Sequence, residues 1–207
     1  YGLTNFSKAI IDATHDLVCA YKFNRGPFGR FGAQGATALK RVINYIKGFY
    51  PQIPIILDAK YGDTPGSNEY YALEAFDEYG ADAVTVNPYL GGQPLKPFFE
   101  WGNKMIFVLC HTSNDGAGEF QRIYPDDPLG EQLYVRVARN FHKNWSRNNN
   151  LGLVVGATFP DAFRKVREVA PNIPILAPGI GKQKGDLEST VRFGLDSFGH
   201  GLIINAS

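Results

Sequence analysis

The stretch "IPIILDAKYGD", Ile53 to Asp63, runs from an apolar segment straight into two acids and a lysine within six positions. A short β-branched run of this kind reads as a strand buried on both faces. Alternate side chains of a strand share a face, so Asp58 and Lys60 point the same way and Ala59 the other; Asp63 follows a turn at Gly62. Working outward, the same apolar-then-polar pattern recurs in "LVCAYK", "AVTVNPY", "MIFVLCHT", "LGLVVGAT", "IPILAPGI" and "GLIINAS". Between these runs lie helical patterns. Leu39, Val42, Ile43 and Ile46 recur at helical spacing, and Leu133, Val137, Phe141 and Trp145 repeat every fourth position. Ser67 or Asn68 is placed to cap a helix "EYYALEAFDEY", with Gly80 ending it.

Apolar strands separated by helices indicate parallel pairing with helical crossovers, hence an α/β fold. An open doubly wound sheet binding a dinucleotide would carry a Gly-rich fingerprint after its first strand, and "YKFNRG" is not one. Polar residues after nearly every strand instead suit strand ends that surround one mouth, so the expected architecture is a (β/α)8 TIM-type barrel. Seven strands are visible. One domain is expected over residues 1–207, incomplete at both ends, with the first strand lying upstream of Tyr1.

The 207 residues are 44% hydrophobic and 20% charged with a net charge of +1, and no Lys/Arg-rich run is present. That composition gives no footprint for nucleic acid or an anionic membrane, so a small-molecule partner is expected. Cys19 and Cys110 lie in apolar runs, where reduced core thiols are expected and a disulfide or metal site is not. With no signal-peptide pattern and no run of membrane-spanning length, the expected location is cytoplasmic.

Three charged groups at the end of a parallel strand are costly to desolvate together, beyond what a lone ion pair would explain. A lysine flanked by carboxylates stays protonated, which makes it a proton donor and a poor Schiff-base nucleophile. An ionised acid beside it repels a substrate anion, and that repulsion disappears when the substrate loses its charge. Loss of carbon dioxide meets this requirement, and the carbanion left behind needs a nearby acid. A second signal is "APGIGKQKGD": a loop after one of the last strands of such a barrel binds phosphate through backbone amides and a helix N-terminus, and Gln183 adds a side-chain amide. Gly179 and Gly181 serve equally as residues of a plain tight turn. A third is "CHTSN", where the Thr112 and Ser113 hydroxyls suit the amide edge of a heterocycle or, alternatively, a helix cap.

Taken together, "AYKFN", "LDAKYGD", "VTVNPYLGG", "FVLCHTSNDGAG", "GLVVGAT" and "PGIGKQKGDL" resemble, in order and over nearly the whole chain, the orotidine 5′-monophosphate decarboxylase family, in the branch with an Asp-Ala-Lys-x-Gly-Asp motif. The resemblance implies conversion of orotidine 5′-monophosphate to uridine 5′-monophosphate and carbon dioxide, in pyrimidine biosynthesis, with no cofactor and no metal. It implies that Lys60 protonates C6, that Asp58 faces the departing carboxylate, that Lys22 links Asp58 to the ribose, and that Asp63 crosses a homodimer interface into a shared active site. Ser113 matches the pyrimidine-edge serine. Thr64, Pro178, Gly179 and Gln183 fall at substrate-binding positions, Ser67 stands there in place of a threonine expected to reach the ribose, and the resemblance allows a fused orotate phosphoribosyltransferase.

The chain departs from the family pattern in two places. "TPGS" follows Asp63 where Ile-Gly-Asn-Thr is usual, and "FNRGPFGRFG" follows Lys22, where Pro27 and three glycines weaken any helix. A strand-one aspartate and a phosphate-binding arginine are expected outside residues 1–207. Two other readings compete: a magnesium-dependent sugar-phosphate decarboxylase or synthase of the same superfamily, and a catalytically inactive phosphate-binding barrel.

Overall fold

The apolar runs become seven parallel strands in the computed structural model, which describes residues 2–126, 128–146 and 148–206. They are β1 (Tyr21–Asn24), β2 (Ile55–Tyr61), β3 (Ala83–Val86), β4 (Met105–His111), β5 (Leu151–Val155), β6 (Ile175–Ile180) and β7 (Leu202–Ala206). Each pairs with its neighbour in sequence, giving the order β1-β2-β3-β4-β5-β6-β7. A doubly wound sheet reverses its strand order partway, so this sequential order identifies a nearly closed TIM-type barrel. Ser207, the end of the last apolar run, lies outside the described residues.

The helices are α1 (Gly2–Thr14), α2 (Arg25–Gly29), α3 (Gly32–Phe49), α4 (Pro65–Leu73), α5 (Lys96–Phe99), α6 (Leu133–Trp145), α7 (Pro160–Val169) and α8 (Leu187–Gly194). Among the described residues no helix is long and apolar enough to cross a membrane. Every residue of β5 is buried, as expected for a parallel strand covered on both faces. Outward-facing side chains such as Ile55, Leu57, Val84 and Val108 pack against the helices, where α3 contributes Leu39, Val42, Ile43 and Ile46, all fully buried. Each such side chain contributes about 1.5–3 kcal/mol. Inward-facing Ile56, Ala83, Phe107, Val154 and Leu176 form a separate cluster inside the barrel. That inner layer is the floor on which the site stands.

Four sequence expectations need correction. The buried stripe of α6 is Tyr134, Val135, Ala138 and Phe141, with Val137 and Trp145 only half-buried. A strict four-residue step drifts about 40° per step around a 3.6-residue helix, so the spacing wandered off the core face. Cys19 is exposed, because β1 starts only at Tyr21; Cys110 is the buried thiol. The helix after Gly62 begins at Pro65 and has no side-chain cap. Asn68 is instead fully buried, accepting from Asp63 N (3.2 Å) and donating to the carbonyls of Asp63 and Pro94 (2.8 Å each). It fastens the loop rather than the helix end. That helix runs into a π turn at Glu74–Glu78 before the chain leaves at Gly80, with φ +63°.

The segment after Lys22 also forms helix, despite its glycines. Asn24 Oδ1 caps α2 by accepting from Gly26 N at 3.1 Å, and Pro27 sits in the first turn, where its missing N–H costs nothing. Arg25 donates to Glu74 Oε1 at 2.7 Å, and Tyr61 donates to Glu74 Oε2 at 2.5 Å. Gly35 lets α3 cross α2 closely, since a Cβ there would stand 1.8 Å from the Phe28 carbonyl oxygen.

Candidate active site

Two residues beyond four of the five members of the inner cluster lies the next inward-facing layer, following the two-residue period of a strand. Ile56 leads to Asp58, Ala83 to Thr85, Phe107 to Leu109 and Leu176 to Pro178, and all four line one cleft of about 560 Å³ at the C-terminal ends of the strands. Register breaks occur at those same ends in β2, β4 and β6. Such breaks re-aim side chains toward a barrel mouth.

One wall is charged. Lys22 Nζ donates to Asp58 Oδ2 at 2.7 Å and Lys60 Nζ donates to Asp58 Oδ1 at 2.5 Å. The Asp58 and Lys22 side chains are only 10% and 14% exposed, whereas Lys60 is 47% exposed and projects into the cleft. Burial opposes ionisation of Asp58, but Lys22, by charge and hydrogen bond, and then Lys60 more than offset it, holding the carboxyl below its ordinary value of 3.8. The contribution of this pairing to stability is present above that ordinary value and is lost as pH falls through the lower folded one. Lys60 itself has φ +53°, a left-handed backbone that a non-glycine residue adopts at a cost of about 1–3 kcal/mol.

The opposite wall is the loop after β6. Gly179 has φ +113°, and Lys184 N donates to Gly181 O while Gly185 N donates to Gly179 O, closing a tight turn. Among the described residues the amides of Lys182 and Gln183 have no partner, and both residues line the cleft. The N-terminus of α8 does not take the expected part in this wall. Asp186 already caps it, accepting from Ser189 N at 3.0 Å.

Between the walls stands the end of β4. Thr112 is tied up: its amide donates to Gln121 Oε1 (2.8 Å) and its hydroxyl to Asn114 Oδ1 (2.7 Å). Neither Thr112 nor Ser113 caps a helix, since the 3-10 turn Asp115–Glu119 has no side-chain cap. The Ser113 hydroxyl has no partner among the described residues and faces the cleft. Nearby His111 is buried against Tyr134 and Phe159, with its Nδ1–H donating to Thr112 O at 3.1 Å. Burial pushes its pKa down to about 4, so it stays neutral under ordinary conditions.

The cleft thus gathers Lys22, Asp58, Lys60, Ser113, Pro178, Gly179 and Gln183. Asp63, Thr64 and Ser67 do not line it; Asp63 and Thr64 form the turn into α4, where Asp63 Oδ1 accepts from Thr64 N at 2.6 Å, and Ser67 lies in the first turn of that helix. The sequence reading missed Thr85, Asn24 and Asn205 as lining residues. Stepping by two from Ala83 along "AVTV" would have found Thr85. Among the described residues no group of three or more His, Cys, Asp or Glu could hold a metal ion. Both Asp58 oxygens are already taken by ammonium groups.

A phosphate-sized anion suits the wall of free amides, and a group that loses negative charge suits the other. The family model "Orotidine 5'-phosphate decarboxylase / HUMPS family" matches residues 3–198. An orotidine 5'-phosphate decarboxylase of Cellvibrio japonicus is 47% identical over 202 residues, which cover 98% of this chain and 72% of that protein. The structure of Leishmania donovani OMP decarboxylase superposes with a TM-score of 0.91 at 40% identity, covering 99% of this chain and 77% of that one. Leishmania donovani UMP synthase superposes with a TM-score of 0.93 at 41% identity, covering 99% of this chain and 44% of that one. With the family model spanning nearly all of the sequence and the barrel superposing end to end, this chain belongs to the orotidine 5'-phosphate decarboxylase / HUMPS family.

Proposed function

We propose that the protein converts orotidine 5′-monophosphate to uridine 5′-monophosphate and carbon dioxide, with Lys60 as the acid. The observation that carries this reading is the Lys22–Asp58–Lys60 array facing, across one cleft, a loop with free backbone amides. The loop and Gln183 hold the phosphate, Pro178 and Gly179 shape its seat, and the Ser113 hydroxyl meets the pyrimidine edge. These contacts place the substrate carboxylate against Asp58. Lys22 keeps Asp58 ionised, so the two anions repel until the carbon–carboxylate bond breaks and carbon dioxide leaves. The electron pair remaining on C6 takes a proton from the Lys60 ammonium, which recovers one from solvent. Remote phosphate binding supplies the energy that holds the anions together.

Asp63, Thr64 and Ser67 fit this reading as groups offered to the cleft of a second copy, Asp63 completing the charge array and Thr64 and Ser67 meeting the ribose. The support is that none of the three lines the cleft of its own chain, Thr64 being exposed and Asp63 and Ser67 half-buried, while the apolar side chains of Tyr70, Leu73, Tyr89 and Leu90 are exposed in the single chain. A C2 pair would cover them.

The test is a spectroscopic decarboxylation assay of the intact protein on orotidine 5′-monophosphate, with and without chelator. Turnover is expected in both. In Lys60→Ala, kcat should fall by at least about 10²–10⁴ while uridine 5′-monophosphate binds almost as before, because the proton transfer exists only along the reaction path. Activity abolished by chelator and restored by magnesium, or near-normal turnover of folded Lys60→Ala, would overturn the assignment.

A further inference from the structure

Thr85 sits on β3, is 1% exposed, and belongs to none of the groups assigned so far. Its hydroxyl oxygen accepts from the backbone N–H of Lys60 at 2.9 Å, and its O–H donates to Asp58 Oδ1, also at 2.9 Å. A hydroxyl has a single proton. Because the Lys60 amide supplies its own proton to the oxygen, the threonine's is free to point at the carboxylate. The side chain therefore bridges a backbone and a side chain, and both belong to the charged wall.

Each half of the bridge meets a specific need. Lys60 lies where β2 breaks register with β3, between Leu57 and Tyr61, and its left-handed φ of +53° removes it from the regular ladder. A main-chain N–H at such a break needs a partner from outside the ladder. The partner here is a side chain from the adjacent strand. On the carboxylate, Oδ2 is held by Lys22 and Oδ1 by Lys60 and Thr85. When the Lys60 ammonium gives up its proton, its hold on Oδ1 weakens, and the hydroxyl is the remaining neutral donor to that oxygen.

We infer that Thr85 is a positioning residue for the decarboxylation: it fixes the Asp58 carboxylate and latches the strained Lys60 backbone, so that acid and carboxylate keep their relative placement through proton transfer. The inference rests on the decarboxylase reading above. Thr85 acts through its two partners, and the phosphate wall lies on other strands. Its removal should therefore affect turnover more than binding. β-branched Val has nearly the same shape as Thr, which makes Thr85→Val the sharpest deletion of the hydroxyl alone.

The experiment measures kcat, KM and the kcat–pH profile of the intact protein and of its Thr85→Val, Thr85→Ala and Thr85→Ser variants, with uridine 5′-monophosphate titrations and thermal melts. Thr85→Val is expected to lower kcat roughly ten- to a hundredfold, the scale of one hydrogen bond to a charged group, with KM and product affinity changed less than about threefold. Its acid limb should move to higher pH, because the ionised carboxylate has lost a donor. Thr85→Ser should restore kcat to within a few-fold of the parent. Thr85→Ala, with room for a water from the cleft, serves if the valine variant does not fold. A folded valine or alanine variant with parental kcat, equal losses in valine and serine variants, or unfolding of both hydroxyl deletions alongside a serine variant with an unchanged profile would overturn the inference. Absence of turnover in the unsubstituted protein would instead sink the decarboxylase reading, and is seen before any variant is compared.

Discussion

At the scale of single residues, the site is a set of charges whose states are fixed by what surrounds them. His111 gives the clearest pH consequence. Burial between Tyr134 and Phe159 lowers its pKa from 6.5 to about 4, so unfolding takes up a proton anywhere between those values. The unfolded state then binds more protons than the folded one, and stability must rise with pH across that window. Chemical denaturation at steps from pH 4 to pH 6.5 should show this slope, reduced in His111→Gln relative to the parent. An equal slope in both proteins would show that the imidazole is not its source. The pairing of Asp58 with Lys60 was legible from the two-residue period of a strand. Thr85 was not, because a threonine in a strand is ordinary for its β propensity and signals nothing by itself. Nor was the left-handed backbone of Lys60, since no glycine marks it.

At the scale of elements, the sequence was most legible where hydrophobic period and length agreed, as in α3, and least where tertiary contacts overrode local preference. Its glycines and proline argued against a helix after Lys22, yet Asn24 capping and the Arg25–Glu74 pair stabilise one. Spacing could not reveal that the Ser113 hydroxyl is free while that of Thr112 is engaged, because Gln121 lies several residues further on. A comparable long-range fastening joins the last elements. Arg167 of α7 donates to the carbonyls of Pro171, Ile173, Gly194 and Gly201, tying the end of α8 to the starts of β6 and β7. A guanidinium satisfies such a set through its planar fork, and an ammonium cannot reach all of it. Arg167→Ala should therefore cost about 2–4 kcal/mol in urea unfolding, and Arg167→Lys should recover only part. Folded variants should keep their kcat, since none of these carbonyls lines the cleft. A loss within experimental error for alanine would show that water replaces the fork.

At the scale of the whole molecule, Asp63 is the residue proposed to join one chain to a second. If it enters the cleft of a second copy, Lys60→Ala and Asp63→Ala proteins are each inactive alone, but their mixed dimer has one site with both lesions and one with neither. Subunit exchange at equal concentrations should return about a quarter of parental activity, because half the dimers are mixed and each has one intact site. Exchange demonstrated by mass spectrometry without recovery of turnover would place Asp63 outside the shared site. The barrel class itself was readable from seven apolar runs, each followed by polar residues. The turn bearing Asp63 lines no part of its own chain's cleft, so strand period gave it no role and only the family resemblance did.

The sequential strand order also sets a timetable. Lys22, Asp58, Lys60 and Thr85 all come from β1, β2 and β3, one contiguous stretch of sequence, whereas Pro178, Gly179 and Gln183 come from β6 and the loop after it. During synthesis from the N-terminus, the charged wall can assemble on three neighbouring strands long before the phosphate wall leaves the ribosome. Until then two ammonium groups and a carboxylate satisfy one another in the growing barrel, with no ligand needed. The array proposed to drive the chemistry is also, in the nascent chain, a mutually paired patch of net charge +1 that keeps a half-built barrel from burying the Asp58 carboxylate unpaired.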